Sequence, residues 1–246
     1  MAVLEVQGAN VRFGGHAAVR DVDLACDTGQ ITGLIGPNGA GKTTLFNVIT
    51  GLQETVSGRV LLDDRDITSL KAHARARLGI ARTFQRLEVF GSLTARENIL
   101  TAAEIRRSWS RDRHADPRAD VEALLDRVGI RAVANERVDS MPTGLARLVE
   151  LGRALATRPK VLLLDEPASG LDETESDGFA DLLLELAGEG MAILLVEHDV
   201  QLVMKVCSLI HVLDFGAILA VGTPDEIQQD QAVLDAYLGS PTEAHA

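Results

Sequence analysis

The chain has 246 residues, 46% of them apolar, and a formal net charge of −12. That length buries a substantial core. With neither a low-complexity tract nor a repeat at a solenoid period, disordered and fibrous classes are excluded. The acidic balance excludes nucleic acid as the main partner, because affinity for a phosphate backbone comes from clustered Lys and Arg, and it argues against anionic lipid for the same reason.

From Met1 the chain runs straight into the strand-like segment Val3-Leu4-Glu5-Val6, without the basic start and apolar stretch of a signal peptide, so no export is expected. Further strands are predicted from Val19 to Cys26, Ile31 to Ile35 and Arg59 to Leu62. A helix begins after Gly41, with Leu45, Val48 and Ile49 on one face and Gly51 as its stop. From about Gln85 to Arg158 the pattern turns helical, at Thr94 to Ile105, Pro117 to Val128 and Gly144 to Thr157, which marks an insertion. Two continuous apolar strands, Val161 to Leu164 and Ala192 to Val196, then flank a helix from Glu173 to Leu186, the pattern of a parallel sheet covered on both faces. Short strands at Leu209 to Leu213 and Ala217 to Val221 follow, then a helix around Val233 to Leu238 and a tail from Ser240 that is expected to be mobile.

The apolar runs fall far short of the roughly 20 residues that span a bilayer, so membrane attachment is expected to come through another subunit. Cys26 and Cys207 lie far apart without metal-like spacing and read as core thiols in a reducing cytoplasm, a disulfide being the alternative.

The most specific local signal is Gly36-Pro37-Asn38-Gly39-Ala40-Gly41-Lys42-Thr43-Thr44, which satisfies GxxxxGK[ST] after an apolar strand and before a helix. Its glycines let backbone N–H groups turn inward around phosphates, and the helix dipole points its positive end at them. Lys42 supplies a charge to the β- and γ-phosphates, and the Thr43 hydroxyl is placed to ligate Mg²⁺. Further on, the apolar strand Val161-Leu162-Leu163-Leu164 ends in Asp165 and Glu166. Adjacent acids at a buried strand's carboxyl end meet a cation or a proton, in the crevice where parallel sheets bind ligands. Asp165 would hold Mg²⁺ through water and Glu166 would deprotonate the attacking water; a solvated acidic loop is the alternative.

Three more segments narrow the reading: Ala81-Arg82-Thr83-Phe84-Gln85, Pro167-Ala168-Ser169-Gly170-Leu171-Asp172 and Val196-Glu197-His198-Asp199. With them the chain, from Val3 to Gly239, resembles an ABC transporter ATPase. The resemblance implies an α/β fold: a P-loop NTPase (RecA-like) parallel-sheet core at about 1–85 and 159–246, an N-terminal antiparallel β-subdomain, and an α-helical subdomain at about 86–158. It implies ATP and Mg²⁺ as cofactors, with Gln85 as the Q-loop glutamine touching Mg²⁺ or the attacking water. His198 is the switch histidine that senses the γ-phosphate, Asp172 ends a D-loop reaching across a dimer, and Phe13 matches the aromatic that stacks on adenine, a core Phe being the alternative. The other histidines, His16, His73, His114, His211 and His245, read as surface or core residues.

In this family each ATP is covered by a partner's LSGGQ-type signature, and here the matching segment is Met141-Pro142-Thr143-Gly144-Leu145. Pro142 stands in place of the serine with neither hydroxyl nor N–H, so Gly144, acting in trans, the helix dipole and the Thr143 hydroxyl are left to bind the facing nucleotide. A heterodimer with a second ATPase subunit bearing a fuller signature is therefore expected; a homodimer with two modest sites is the alternative. The segments from Leu195 to Val200, from Gly222 to Ile227 and from Ala236 to Gly239 are most similar to ATPases of branched-chain amino-acid importers. Urea-type and lipopolysaccharide-export ATPases are near relatives. The resemblance implies transmembrane permease subunits, indirectly a solute-binding protein, and a place on the cytoplasmic face of the membrane.

Arg75, Arg77, Arg82, Arg86, Arg106, Arg107, Arg111 and Arg113 read first as solvated helix faces. Leu87, Val89 and Phe90 lie where the resemblance places the groove for the permease's coupling helix, and they fit subdomain core equally well. Rival classes leave marks this chain lacks: ribosome- or DNA-acting ABC ATPases show tandem domains, a long coiled coil or a basic surface, and kinases with a similar cradle show an acceptor site.

Overall fold

The computed structural model describes residues 2–110 and 116–238; Arg111, Arg113, His114, Gly239, His245 and the rest of the tail lie outside them. Strands β1 (Ala2–Phe13) and β2 (His16–Asp27) pair antiparallel, and β3 (Ile31–Ile35) is buried at every position. Helix α1 (Lys42–Thr50) follows the glycine-rich loop and stops at Gly51, which takes a left-handed conformation. Strands β4 (Ser57–Leu62) and β5 (Arg65–Asp66) complete a four-stranded antiparallel sheet in the order β2-β1-β4-β5. After α2 (Ala72–Leu78) and β6 (Ile80–Arg82) come three helices that pack on one another: α3 (Ala95–Trp109), α4 (Pro117–Arg127) and α5 (Thr143–Ala156).

The chain then alternates β7 (Val161–Asp165), α6 (Glu173–Gly188), β8 (Ala192–Val196), α7 (Val200–Val206) and β9 (Leu209–Asp214), before the β10 (Ala217–Gly222) hairpin strand and α8 (Pro224–Gln229). The second sheet has the order β10-β9-β3-β8-β7-β6, parallel except at β10. The central strands β7 and β8 are buried at every position, which is why they read as unbroken apolar runs. Val161, Leu163, Leu194 and Val196 face the antiparallel sheet and α1, while Leu162, Leu164, Ile193 and Leu195 face the helical layer. The expected parallel core, N-terminal antiparallel sheet and inserted helices are all present.

Helix starts follow local capping chemistry. Thr94 and Glu97 form a reciprocal capping box on α3, Asp172 and Glu175 another on α6, and Pro117 opens α4 behind the Asp116 cap. Both cysteines are buried free thiols, as expected, and burial pushes each to about 12. His211 is buried on β9, where desolvation lowers its pKa to about 4.

Two of the arginines expected on solvated faces are buried instead. Arg75 is 3% exposed and donates to the carbonyls of Val48, Ile49, Leu70 and Thr68 at 2.7 to 2.9 Å. Val48 and Ile49 belong to the last turn of α1, whose carbonyls have no partner within the helix and carry the negative end of its dipole. A cation with five donors satisfies them from one side chain, at a desolvation cost that lowers its own pKa. Replacing Arg75 with Met keeps much of the volume and removes the side-chain donor from the Ile49 carbonyl, leaving that of Val48 only the Gly51 N–H at 3.2 Å, so unfolding free energy falls by about 2–4 kcal/mol in urea titrations. An unchanged urea midpoint refutes the capping role. Arg82 is the second correction, and its partner lies in the site described next.

Candidate active site

The loop between β3 and α1 is shaped by glycine. Gly36 has φ 148° and Gly41 φ 110°, and a Cβ built on them lies 1.9 Å from the Leu213 carbonyl oxygen and 2.5 Å from that of Ala18. No other residue fits this close approach of backbones. The loop closes over the amino end of α1, where Lys42 is 7% exposed and its ammonium donates to the carbonyls of Gly36 at 2.6 Å and Pro37 at 3.1 Å. Burial pushes the Lys42 pKa down, and the carboxylates of Glu166 and then Asp165 oppose that shift. A cavity of about 220 Å³ opens here, lined by Asn38, Gly39, Ala40, Gly41, Lys42, Thr43 and Thr44 and, opposite them, by Gln85, Asp165 and Glu166.

Parallel strand order brings these distant segments together. The carboxyl ends of β6, β7 and β8 lie side by side, and Gln85, Glu166 and His198 each follow one of them. The Gln85 amide donates to Glu166 Oε1 at 3.1 Å, and His198 Nε2 lies 2.7 Å from the same oxygen. A carboxylate accepts only, so the Nε2 of His198 carries the proton in this contact. Glu166 itself sits at φ 51°, a conformation that costs a non-glycine residue free energy and is held by its N–H on the Val196 carbonyl at 2.8 Å. Residues from three separate segments thus meet on one oxygen at the edge of a glycine-lined cradle.

Residues 19–169 match the family described as ABC transporter, more than half of the chain. The chain belongs to this family. Residues 217–242 match a second pattern, described as branched-chain amino acid ATP-binding cassette transporter. The cassette is 39% identical to BraF of Pseudomonas aeruginosa, a high-affinity branched-chain amino acid transport ATP-binding protein, over 96% of this chain and 98% of that one. It is 36% identical to LptB of Escherichia coli, a lipopolysaccharide export system ATP-binding protein, over 97% of this chain and 98% of that one. Among solved structures, the ADP conformation of an ATP-binding cassette of an ABC transporter superposes with TM-score 0.84 at 30% identity, covering 97% of this chain and 99% of that chain. The protein is therefore an ABC-type ATPase with the P-loop NTPase fold. As such it binds ATP or ADP, dimerises and works with membrane permease subunits. Among the described residues no helix is long and apolar enough to cross a membrane.

Several residues that order the cassette's site were not given that role from sequence. Arg82 donates to Asp165 Oδ2 at 2.8 Å, both side chains being 5% or less exposed. Burial pushes the Asp165 pKa up, and Arg82 is the leading influence holding it down. Glu197, 5% exposed, accepts the N–H of Ala168 at 2.8 Å and of His198 at 3.1 Å, so one carboxylate orders both the 167–172 loop and the histidine turn. The stretch around Gln85 is held from α5. Arg147 donates to the Phe84 carbonyl at 2.6 Å and to that of Gln85, and Glu150 accepts the N–H of Phe84 and of Glu88. Glu197 follows a buried strand as Glu166 does, and that signal could have found it.

The residues read as reaching a partner are also placed. Phe13 is 52% exposed at the end of β1, which removes the core-Phe alternative. Asp172 caps α6 with its carboxylate on the Glu175 N–H at 2.8 Å. Pro142 precedes α5 and gives it no side-chain cap. Gly144 is buried against its own chain: a Cβ there meets Leu171 at 2.9 Å and the Gly170 carbonyl at 3.1 Å, and the Thr143 methyl faces Gly170. Gly144 substitutions therefore disturb this chain's own 167–172 loop, and Thr143→Val is the cleaner probe of the signature. Leu87 and Val89 pack on the core, Phe90 is 45% exposed, and Val89 and Phe90 line a groove of about 790 Å³.

Proposed function

We propose that this cassette hydrolyses ATP to drive uptake of branched-chain amino acids through separate permease subunits, on the cytoplasmic face of the membrane. The convergence of Gln85 and His198 on Glu166 Oε1 supports the chemistry. The match at 217–242 supports the cargo class over lipopolysaccharide export.

Lys42 and the inward N–H groups of 36–44 bind the β- and γ-phosphates, and Phe13 offers its exposed ring to adenine. Thr43, Gln85 and Asp165 supply hydroxyl, amide and carboxylate oxygens on one cavity, a hard donor set that fits Mg²⁺. Among the described residues no cluster of three His, Cys, Asp or Glu could hold a metal, so the ion's other ligands are phosphate and water, its usual company. Bound there, Mg²⁺ neutralises charge on the phosphate oxygens. Glu166 takes the proton of the water that attacks the γ-phosphorus, and ADP and phosphate leave. Two contacts occupy Oε1, so Oε2 is the oxygen turned to the water. Gln85 and His198 fix the carboxylate's orientation, and His198 reaches the γ-phosphate.

The signature favours a heterodimer. Without a serine hydroxyl, and with the Thr143 methyl packed on Gly170, this chain's α5 covers a partner's nucleotide weakly, whereas its own phosphate cradle is complete. Asp172 is near the loop that reaches across. The groove of about 790 Å³, walled by Leu52, Phe84, Phe90, Ile105 and Trp109, takes the permease's coupling helix.

The test is transport in proteoliposomes holding this chain, its second ATPase and its permeases, with the solute-binding protein supplied outside. Lumenal ATP drives uptake of labelled leucine, isoleucine or valine, and does so with neither urea nor lipopolysaccharide as cargo. Hydrolysis that responds only to urea or lipopolysaccharide overturns the cargo assignment and leaves the ATPase reading standing.

A further inference from the structure

Arg82 ends β6 three residues before Gln85, and its side chain is engaged on every edge. Nη2 donates to Asp165 Oδ2 at 2.8 Å, Nη1 to Asn47 Oδ1 at 2.6 Å and Nε to the Thr83 carbonyl at 3.2 Å. The guanidinium carbon lies 5.2 Å from the Phe46 ring centroid and 4.8 Å from that of Phe84. One planar cation thereby joins β7, which carries Asp165, α1, which carries Asn47 one turn beyond Thr43, and the stretch that leads into Gln85. A lysine, a point charge on a flexible stem, cannot reproduce that fork.

The same residue borders the second cavity. Arg82 and Phe84 both line the groove of about 790 Å³, so the guanidinium has one edge on a carboxylate of the nucleotide site and one face on a ring that walls the groove. Packed interiors move in discrete rearrangements and compress little, and a stacked guanidinium follows its ring. Two sites that the chain assembles from different layers therefore share a single side chain.

We propose that Arg82 is a positioning residue that transmits occupancy of the groove to Asp165. A helix seated on Phe84 holds the ring and the stacked guanidinium in register, and the fork then fixes the Asp165 carboxylate as it meets the metal. Arg82 touches neither nucleotide nor attacking water and acts through Asp165. The inference rests on the groove being the permease's seat.

The experiment measures Mn²⁺ binding by electron paramagnetic resonance with ATP present, on the dimeric cassettes alone and on the complete transporter. Arg82→Gln weakens Mn²⁺ binding about tenfold, as loss of an outer partner to a metal ligand does. Nucleotide affinity in EDTA stays within about twofold, because the phosphates are held elsewhere. Arg82→Lys restores only part of the Mn²⁺ affinity. Phe84→Leu keeps the ion pair, and the ratio of its Mn²⁺ affinity with permeases to that without them falls toward one, whereas permeases tighten Mn²⁺ binding in the wild type. Wild-type Mn²⁺ affinity in Arg82→Gln overturns the positioning role, and a full permease effect in Phe84→Leu overturns the link to the groove. If Arg82→Gln does not fold, Arg82→Lys and Phe84→Leu decide the same two points. Ile105→Glu reports on the docking reading separately: if the transporter assembles and is stimulated normally with that charge in the groove, the seat is elsewhere and the link falls. The Mn²⁺ measurement on cassettes alone still decides the role at Asp165.

Discussion

Glu166→Gln is expected to lower the cassette's turnover by about 10²- to 10⁴-fold while leaving ATP affinity within about threefold, the range lost when a positioned general base is removed. The substitution is nearly isosteric. Its Oε1 still accepts from the Gln85 amide and from His198 Nε2, so the contacts at 3.1 and 2.7 Å survive and the site keeps its shape. What disappears is a group able to take a proton. The left-handed backbone at Glu166 is likewise untouched, because Gln bears the same φ 51° no worse than Glu. Phosphate release measures turnover and equilibrium dialysis measures affinity; a loss of less than fivefold in turnover removes Glu166 from the role of base. In the mixed dimer the comparison with Thr143→Val is informative. Thr143 contributes a hydroxyl to the weaker of two composite sites, so Thr143→Val costs less than about threefold, near the size of one modest hydrogen bond. Equal losses from the two variants argue for a dimer in which both sites carry the same work.

Those contacts also mark where sequence reading succeeds. The phosphate loop is legible because its chemistry is local: strand, glycines, lysine and helix follow in order within one short stretch, and the close approaches at Gly36 and Gly41 require glycine. Starts of α3, α4 and α6 are legible within about a residue because caps are local too. Glu166, His198 and Gln85 can each be picked out by resemblance, but their meeting on one oxygen depends on the strand order β3-β8-β7-β6, which no single segment encodes. Helices α2 and α7, at seven residues each, are too short for a helical period to stand out, and β6, at three residues, is a strand only because β7 pairs with it.

Buried arginines were the least legible feature, for a definite reason. Along the sequence Arg75 and Arg82 sit among other basic residues, a pattern that belongs to solvated faces. Their partners are remote: the end of α1 for Arg75, and for Arg82 a carboxylate that enters the sheet 83 positions later. A buried cation is stable only where several acceptors converge, and convergence is a property of the fold. Glu150 and Arg147 repeat the lesson on α5, where a buried ion pair at 3.0 Å spends its remaining capacity on the backbone around Gln85.

Lys42→Met is expected to weaken ATP binding by about 30- to 1,000-fold, the 2–4 kcal/mol that follows from removing one charge from a partly buried ionic contact. Met matches the lysine stem, so the packing of a side chain only 7% exposed is kept and the loss reports the ammonium. That charge is poised: burial pushes its pKa down, and Glu166 and Asp165 hold it up. The sign of the pH dependence follows. Phosphate binding needs the protonated amine, so wild-type affinity is full below the lowered pKa and declines as pH rises through it, on the acid side of the ordinary lysine range. Lys42→Met binds weakly at every pH and lacks that decline. Titrating a fluorescent ATP analogue from neutral to alkaline pH compares the two proteins directly. Parallel pH curves for wild type and variant place the alkaline titration on another group, and unchanged affinity at neutral pH removes Lys42 from the phosphate cradle.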